Sequence, residues 1–228
     1  MQPLVTVLSI ALTLACYIFF RRLYLKYRSP LVNVVVMGMG VIITVLLLCG
    51  LSFEDYKPAA NIMTYLLGPA TVALSVPLYR NRQLIGQYKW AILAGVGLGS
   101  IASMSIAVFI AELGGMPREV LVSLAPKSAT IPFAAGAARA LGGDPALASA
   151  FVAATGTFGS LLGLQLLTWF KIKAPLARGL ALGTISHGQG TAMALTEGEL
   201  AGAMAGMAMG LAGVFTSIVA PLLVPLLI

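Results

Sequence analysis

The sequence predicts an all-α fold: a polytopic membrane protein with about eight membrane-embedded segments of ~20 residues, some of them broken or re-entrant. Three observations carry that reading. Apolar residues make up 59% of the 228 and charged residues only 9%, where a soluble domain carries about 25% charged residues. The mean hydropathy is +0.98. The charges collect in short stretches between apolar runs, and prolines and glycines punctuate those runs. No stretch is left for a soluble domain, so residues 1–228 read as one integral, transporter-like membrane domain. The formal charge of +7 is not a nucleic-acid footprint, because it sits in short loops as the positive-inside bias predicts. The lipid bilayer of the cell (inner) membrane is the expected surrounding. Cys16 and Cys49 lie inside apolar runs, which speaks against a disulfide framework.

In order, the segments are 3–20, 31–51, 58–79, 89–111, 118–141, 145–170, 175–195 and 197–228. The first lacks a basic stretch before it, and Arg21, Arg22 and Lys26 follow it. It therefore reads as an uncleaved helix with its N-terminus outside, not as a secretory signal. Ser29-Pro30, Lys57-Pro58, Met116-Pro117, Asp144-Pro145 and Ala174-Pro175 each precede an apolar run, and proline is preorganised for the first position of a helix. Ser29 and Asp144 would serve as N-caps. Thr196-Glu-Gly-Glu199 has the spacing of a capping box and would open the last run.

Loop charges then orient the segments. Arg21, Arg22, Lys26 and Arg28 place the first loop in the cytoplasm, and Arg80, Arg82 and Lys89 place the third there. Plain alternation puts Lys171, Lys173 and Arg178 outside. A re-entrant 118–141 would return them to the cytoplasm. Against this, Pro30/Pro58 and Pro117/Pro145 share one spacing at an offset of 87, which suggests three spans per inverted repeat. The sequence leaves both arrangements open. Glycines recur at four-residue steps (Gly95/Gly99, Gly159/Gly163, Gly179/Gly183, Gly202/Gly206/Gly210), as close helix packing requires.

Four stretches interrupt the apolar runs: Gly68-Pro69-Ala70-Thr71, Pro126-Lys-Ser-Ala-Thr130 with Pro132 beyond it, Thr155-Gly-Thr157, and Gly183-Thr-Ile-Ser-His-Gly-Gln-Gly-Thr191. Proline breaks the helical ladder, and irregular backbone at membrane depth survives only when buried in protein or lining a wet cavity. Gly183, Gly188 and Gly190 permit close backbone approach. Lys127 lies inside a segment, whereas all seven acids fall at segment ends. A buried ammonium needs a partner, and a small carboxylate would supply one. The bland alternative is that Lys127 snorkels to Glu112 or Glu119. Around it, Ser128, Thr130, Thr71, Thr157, Ser186, His187, Gln189 and Thr191 are the candidate substrate contacts. His187 is the only histidine; it suits proton coupling and excludes a multi-histidine metal site. No cofactor is expected, and no catalysis: Gly95-Val-Gly97-Leu-Gly99 lacks a preceding strand, and nothing accompanies a serine beside Lys127 that would make a hydrolase.

The stretches Leu67–Tyr79, Ala125-Pro-Lys-Ser-Ala-Thr-Ile-Pro132, Thr155-Gly-Thr157, Ala181-Leu-Gly-Thr-Ile-Ser-His-Gly-Gln-Gly-Thr-Ala192 and Gly202–Gly213, with Pro221, resemble the LrgB/CidB family in family order. Its plant relatives include the C-terminal part of the plastid glycolate/glycerate translocator. Ala125, Ala129 and Ile131 depart from the usual proline-lysine pattern, and Gln189 stands where the family is often apolar. The resemblance implies one of two activities. One is secondary transport of small monocarboxylates of the glycolate, glycerate, lactate and pyruvate class. The other is holin/antiholin-like modulation of murein hydrolase activity and lysis, with a small LrgA/CidA-type membrane partner. Homo-oligomers are expected. The unpaired lysine favours transport.

Overall fold

A computed structural model of the chain describes residues 2–27, 34–66, 69, 75–80 and 82–228. They are helices and turns with no strand, divided into two compact units at residues 73 and 74. Among the described residues, four helices are long and apolar enough to cross a membrane: Pro3–Tyr27, Lys89–Leu113, Pro145–Trp169 and Glu199–Leu226. The chain is a multi-pass membrane protein.

The first unit holds α1 (Gln2–Tyr27), α2 (Val34–Leu48) and α3 (Phe53–Tyr65). α1 runs past the expected end at residue 20, because Arg21, Arg22 and Lys26 continue the helix and cations suit a helix C-terminus. α3 starts before Pro58, which lies inside it. Ser52 sets that start: its hydroxyl and backbone N–H donate to Asp55 Oδ2 at 2.7 and 2.8 Å, half of a capping box. Thr13 of α1 and Tyr56 of α3 share a hydrogen bond of 3.1 Å. Ser29 and Pro30, and all of the Gly68–Thr71 break except Pro69, lie outside the described residues.

The second unit begins with two short helices, α4 (Ser75–Arg80) and α5 (Arg82–Gln87), followed by α6 (Lys89–Leu113). Then come α7 (Arg118–Leu124), α8 (Ile131–Ala140), α9 (Pro145–Trp169), α10 (Pro175–Glu197) and α11 (Glu199–Leu223), which ends in a 3-10 turn, Val224–Leu226. Asp144 caps α9 as expected, accepting from Ala146 N at 2.7 Å, with Pro145 at the first position. The capping box expected at Thr196 does not form. Thr196 is still in α10, donating to Met193 O, and Gly198 at φ 135° makes the turn into α11. A one-residue connection needs a backbone conformation that glycine alone adopts cheaply.

Two segments do not cross. α7 and α8 are about 10 and 15 Å long at 1.5 Å per residue, and the chain turns back between them, so that the start of α9 meets the end of α7. Asp144 N–H donates to Ser123 Oγ at 2.9 Å, across 21 residues. α10 is folded on itself at His187, whose φ of 40° and ψ of −127° interrupt it. Arg178 and Glu197 would be about 28 Å apart in a straight helix, yet their side chains are 2.6 Å apart. Leu182 and Ala194 likewise share one core cluster. Residues 175–186 and 188–197 are therefore the two arms of a hairpin.

Packing partners give the directions. Gly95 and Gly99 of α6 face Leu180 and Thr184 in the same order, so α6 runs parallel to the first arm of α10. Gly179 and Gly183 face the backbone of Ala201 and Ala205, so α11 is parallel too. Gly159 and Gly163 face Ser186 and Leu182, so α9 runs the opposite way. It follows that 114–144 enters and leaves on the face where α6 ends, and 170–198 enters and leaves on the other. This is the re-entrant arrangement of 118–141, with a second hairpin opposed to it. α6 and α9 are each followed by a hairpin, and the two run in opposite directions, so the unit contains an inverted pair. The proline spacing at an offset of 87 involves Pro30, which lies outside the described residues.

One face thereby carries Arg80, Arg82, Lys89, Lys171, Lys173 and Arg178 with Glu197 and Glu199; the other carries Arg118 and Arg139 with Glu112, Glu119 and Asp144. The positive-inside bias assigns the first to the cytoplasm. Small-residue contacts bind the second hairpin on three sides, from α6, α9 and α11. At its base Arg178, 8% exposed, donates to Glu197 at 2.7 and 2.6 Å and to the Ile172 carbonyl at 2.8 Å.

Two outcomes follow. In a variant lacking Cys16 and Cys49, single cysteines at Lys171 and Glu199 should react with an impermeant maleimide from the cytoplasmic side, and one at Glu112 from the opposite side. Labelling of Lys171→Cys together with Glu112→Cys from one side would mean that 118–141 crosses. Glu197→Gln should lower stability by about 1–3 kcal/mol, since it strands a mostly buried guanidinium while Glu197 itself keeps some contact with solvent. Thermal unfolding in detergent would register this as a lower Tm.

Candidate functional site

The tip of the first hairpin is built from the proline-lysine stretch. α7 ends at Leu124, residues 125–130 turn, and α8 begins at Ile131 with Pro132 in its first turn. The turn closes with Lys127 N–H donating to Leu124 O at 3.0 Å and Ala129 N–H to Pro126 O at 2.9 Å. Pro126 is fully buried. Lys127 Nζ donates to Ser103 Oγ at 3.0 Å and to Ser128 Oγ at 3.3 Å, and the two hydroxyls lie 2.8 Å apart. Among the described residues no carboxylate comes within ion-pair distance of Lys127. It is thus not snorkelling to Glu112 or Glu119. Thr130 is the N-cap residue of α8, with no side-chain cap bond.

The tip of the second hairpin is His187. A non-glycine residue at positive φ carries strain, so the surroundings must hold it there. They do so through the ring: Nε2 is 3.0 Å from the Val152 carbonyl of α9, and since a carbonyl only accepts, Nε2 donates. The His187 carbonyl in turn accepts from Thr191 Oγ1 at 2.9 Å. The ring lies against Gly156, where a side chain would collide with it, and Ser186 lies against Gly159 in the same way. Gln189 Oε1 is 3.5 Å from Ser160 Oγ, at the limit of a hydrogen bond. Thr157 sits on the same turn of α9, its carbonyl accepting from Ser160.

The two tips meet on α9. Val152 bonds His187 and packs with Ala129 and Ala134 of the first hairpin in one buried cluster. A cation and an imidazole thus stand at one junction, surrounded by hydroxyls and reached by hairpins from opposite faces. Chemically, such a place can hold a small anion or pass a proton.

The placement of the sequence candidates follows from this. Lys127 and Ser128 stand at one tip and Ser186, His187, Gln189 and Thr191 at the other, with Thr157 and Thr130 beside them. Thr71 lies outside the described residues, and Pro69 is exposed. Gly183 does not break the helix. It lies in the regular first arm, where it allows the backbone of Ala205 to approach, and the break is four residues on, at His187. Gly190 serves the fold-back, because a side chain there would strike the Leu182 carbonyl; Gly188 is exposed. Sequence reasoning missed Ser103, Ser100, Ser160 and Val152. The signal available was weak: two serines three residues apart in an apolar helix, easily read as packing.

A profile described as the LrgB-like family matches residues 13–226. The uncharacterized protein YxaC of Bacillus subtilis strain 168 is 36% identical over 203 residues, covering 89% of this chain and 88% of its own. Holin-like protein CidB of Staphylococcus epidermidis is 33% identical over 194 residues, 85% of each chain. Antiholin-like protein LrgB of Bacillus cereus is 34% identical over 176 residues, covering 77% of this chain and 75% of its own. No solved structure matches. A profile spanning nearly the whole chain, and relatives at one-third identity over most of it, lead to one conclusion: the chain belongs to the LrgB-like family.

Proposed function

We propose that this protein is a secondary carrier of small monocarboxylates, of the glycolate, glycerate, lactate and pyruvate class, working by alternating access. The observation that carries the reading is Lys127, a cation at a hairpin tip bonded to two hydroxyls and, among the described residues, to no acid. Desolvating an ammonium without a counter-charge is costly, and a substrate carboxylate would offset that cost. Opposed hairpins meeting at one point support the same reading, because loosening one or the other would open the junction to one face at a time. In this scheme Lys127 pairs with the carboxylate, with Ser128 and Thr130 as further donors. Ser186, His187 and Gln189 contact the substrate or relay a proton, while Thr157 and Thr191 line the path. The role is binding and movement, not catalysis.

The names of the relatives speak more directly for a second reading, a holin/antiholin-like modulator of murein hydrolase activity and lysis. That reading brings homo-oligomers and a small LrgA/CidA-type membrane partner. The two differ in what crosses the bilayer. A carrier saturates and exchanges; a holin-like lesion leaks without saturation.

Purified protein in liposomes should show saturable counterflow of at least one labelled acid from this class. Lys127→Ala and Lys127→Met should each reduce it at least tenfold, the equivalent of about 1.4 kcal/mol. Transport by both variants at the wild-type rate would remove Lys127 from the site. Unsaturable leakage of unrelated solutes, with or without the small partner, would favour the holin-like reading.

A further inference from the structure

Ser103 stands inside α6 and holds both Lys127 and Ser128. One turn earlier, on the same side of the helix, is Ser100. It is 2% exposed, and among the described residues its buried hydroxyl has no hydrogen-bond partner. Leaving a hydroxyl buried and unpaired costs free energy that an alanine would not. Its neighbours on the buried stripe of α6, Val96, Gly97 and Met104, are apolar. The orphan hydroxyl thus sits one turn from the ammonium's own partner.

We infer that Ser103 and Ser100 of α6 form the specificity wall of the site: Ser103 positions Lys127 for the carboxylate, and Ser100 binds the oxygen on the acid's second carbon. The inference rests on the carrier reading and deepens it. Residues three apart on a helix have side chains about 5–6 Å apart, a span that a two- or three-carbon acid bridges with a hydrogen bond at each end. A serine hydroxyl both donates and accepts, so it satisfies a 2-hydroxy group and a 2-oxo group alike. An acid without that oxygen leaves the Ser100 hydroxyl unpaired. The wall belongs to a continuous spanning helix and the cation to a hairpin tip, so the substrate would bridge a fixed element and a breakable one.

The test is counterflow in liposomes by the full chain, comparing lactate and pyruvate with propionate, which has lactate's carbon chain but no oxygen at the second carbon. Wild type should prefer lactate and pyruvate at least about tenfold, the worth of one hydrogen bond left unmade. Ser100→Ala should bring that ratio close to one by lowering lactate and pyruvate transport while leaving propionate alone. Ser100→Thr, which keeps the hydroxyl, should retain the preference. Ser103→Ala should raise KM for all three acids together, by roughly threefold to tenfold, without changing the ratio. The inference is overturned if Ser100→Ala keeps the wild-type ratio, as it would if Ser100 merely turned back onto its own helix. It is equally overturned if Ser100→Ala slows all three acids equally. Failure of wild type to move any of the three would sink the carrier reading itself, which is a different result.

Discussion

A backbone that reverses inside hydrocarbon must find partners for its freed polar groups, because no water is there to take them. The second unit is arranged around two such reversals. At the first, the turn at 125–130 closes with backbone hydrogen bonds from Lys127 to Leu124 and from Ala129 to Pro126, and packs against α6 and α9. At the second, a single residue reverses the chain, and its strain is borne by a ring-to-carbonyl hydrogen bond to α9. Because both reversals lean on Val152, the two hairpins cannot be placed independently of each other. The spanning helices are the walls that make such reversals affordable.

Small residues are what bring those walls close enough. Association in lipid has no hydrophobic drive, so close backbone packing and polar contacts must supply it. Glycines on α6, α9 and the first arm of α10 allow contacts that a methyl group would block. The glycine steps visible in the sequence thus converge largely on one object, the second hairpin. Its base is fastened by Arg178, whose guanidinium joins the end of α9, the connecting loop and both arms. The result is a hairpin fixed tightly at its base and along its sides, with its strained residue at the tip.

The site inherits its character from this plan. Lys127 and His187 are separated by 60 positions in the chain (187 − 127), and neither hairpin could present them together alone. The inverted relation of α6 plus the first hairpin to α9 plus the second gives each tip a serine on its preceding helix: Ser103 for the first, Ser160 for the second. The groove beside Phe151, Phe158 and Leu162 of α9 is mostly apolar, with Thr155 and Ser186 also lining it.

Much was legible from residues alone. Composition determined the membrane class, and charge placement singled out Lys127, since an interior cation among acids confined to segment ends needs no coordinates to be noticed. Proline and glycine marked both broken segments, and the conflict over Lys171 and Lys173 pointed to a re-entrant 118–141. These are local or counting properties, written residue by residue. Tertiary structure decided the rest. The fold-back of α10 was hidden because its sequence is helical on both sides of His187, and only the Arg178–Glu197 pair and the α11 contacts force the arms together. The α6 serines became visible only when the first tip was laid against them. Helix propensity acts over a few residues, whereas reversal and site assembly depend on which distant surfaces fill the same space.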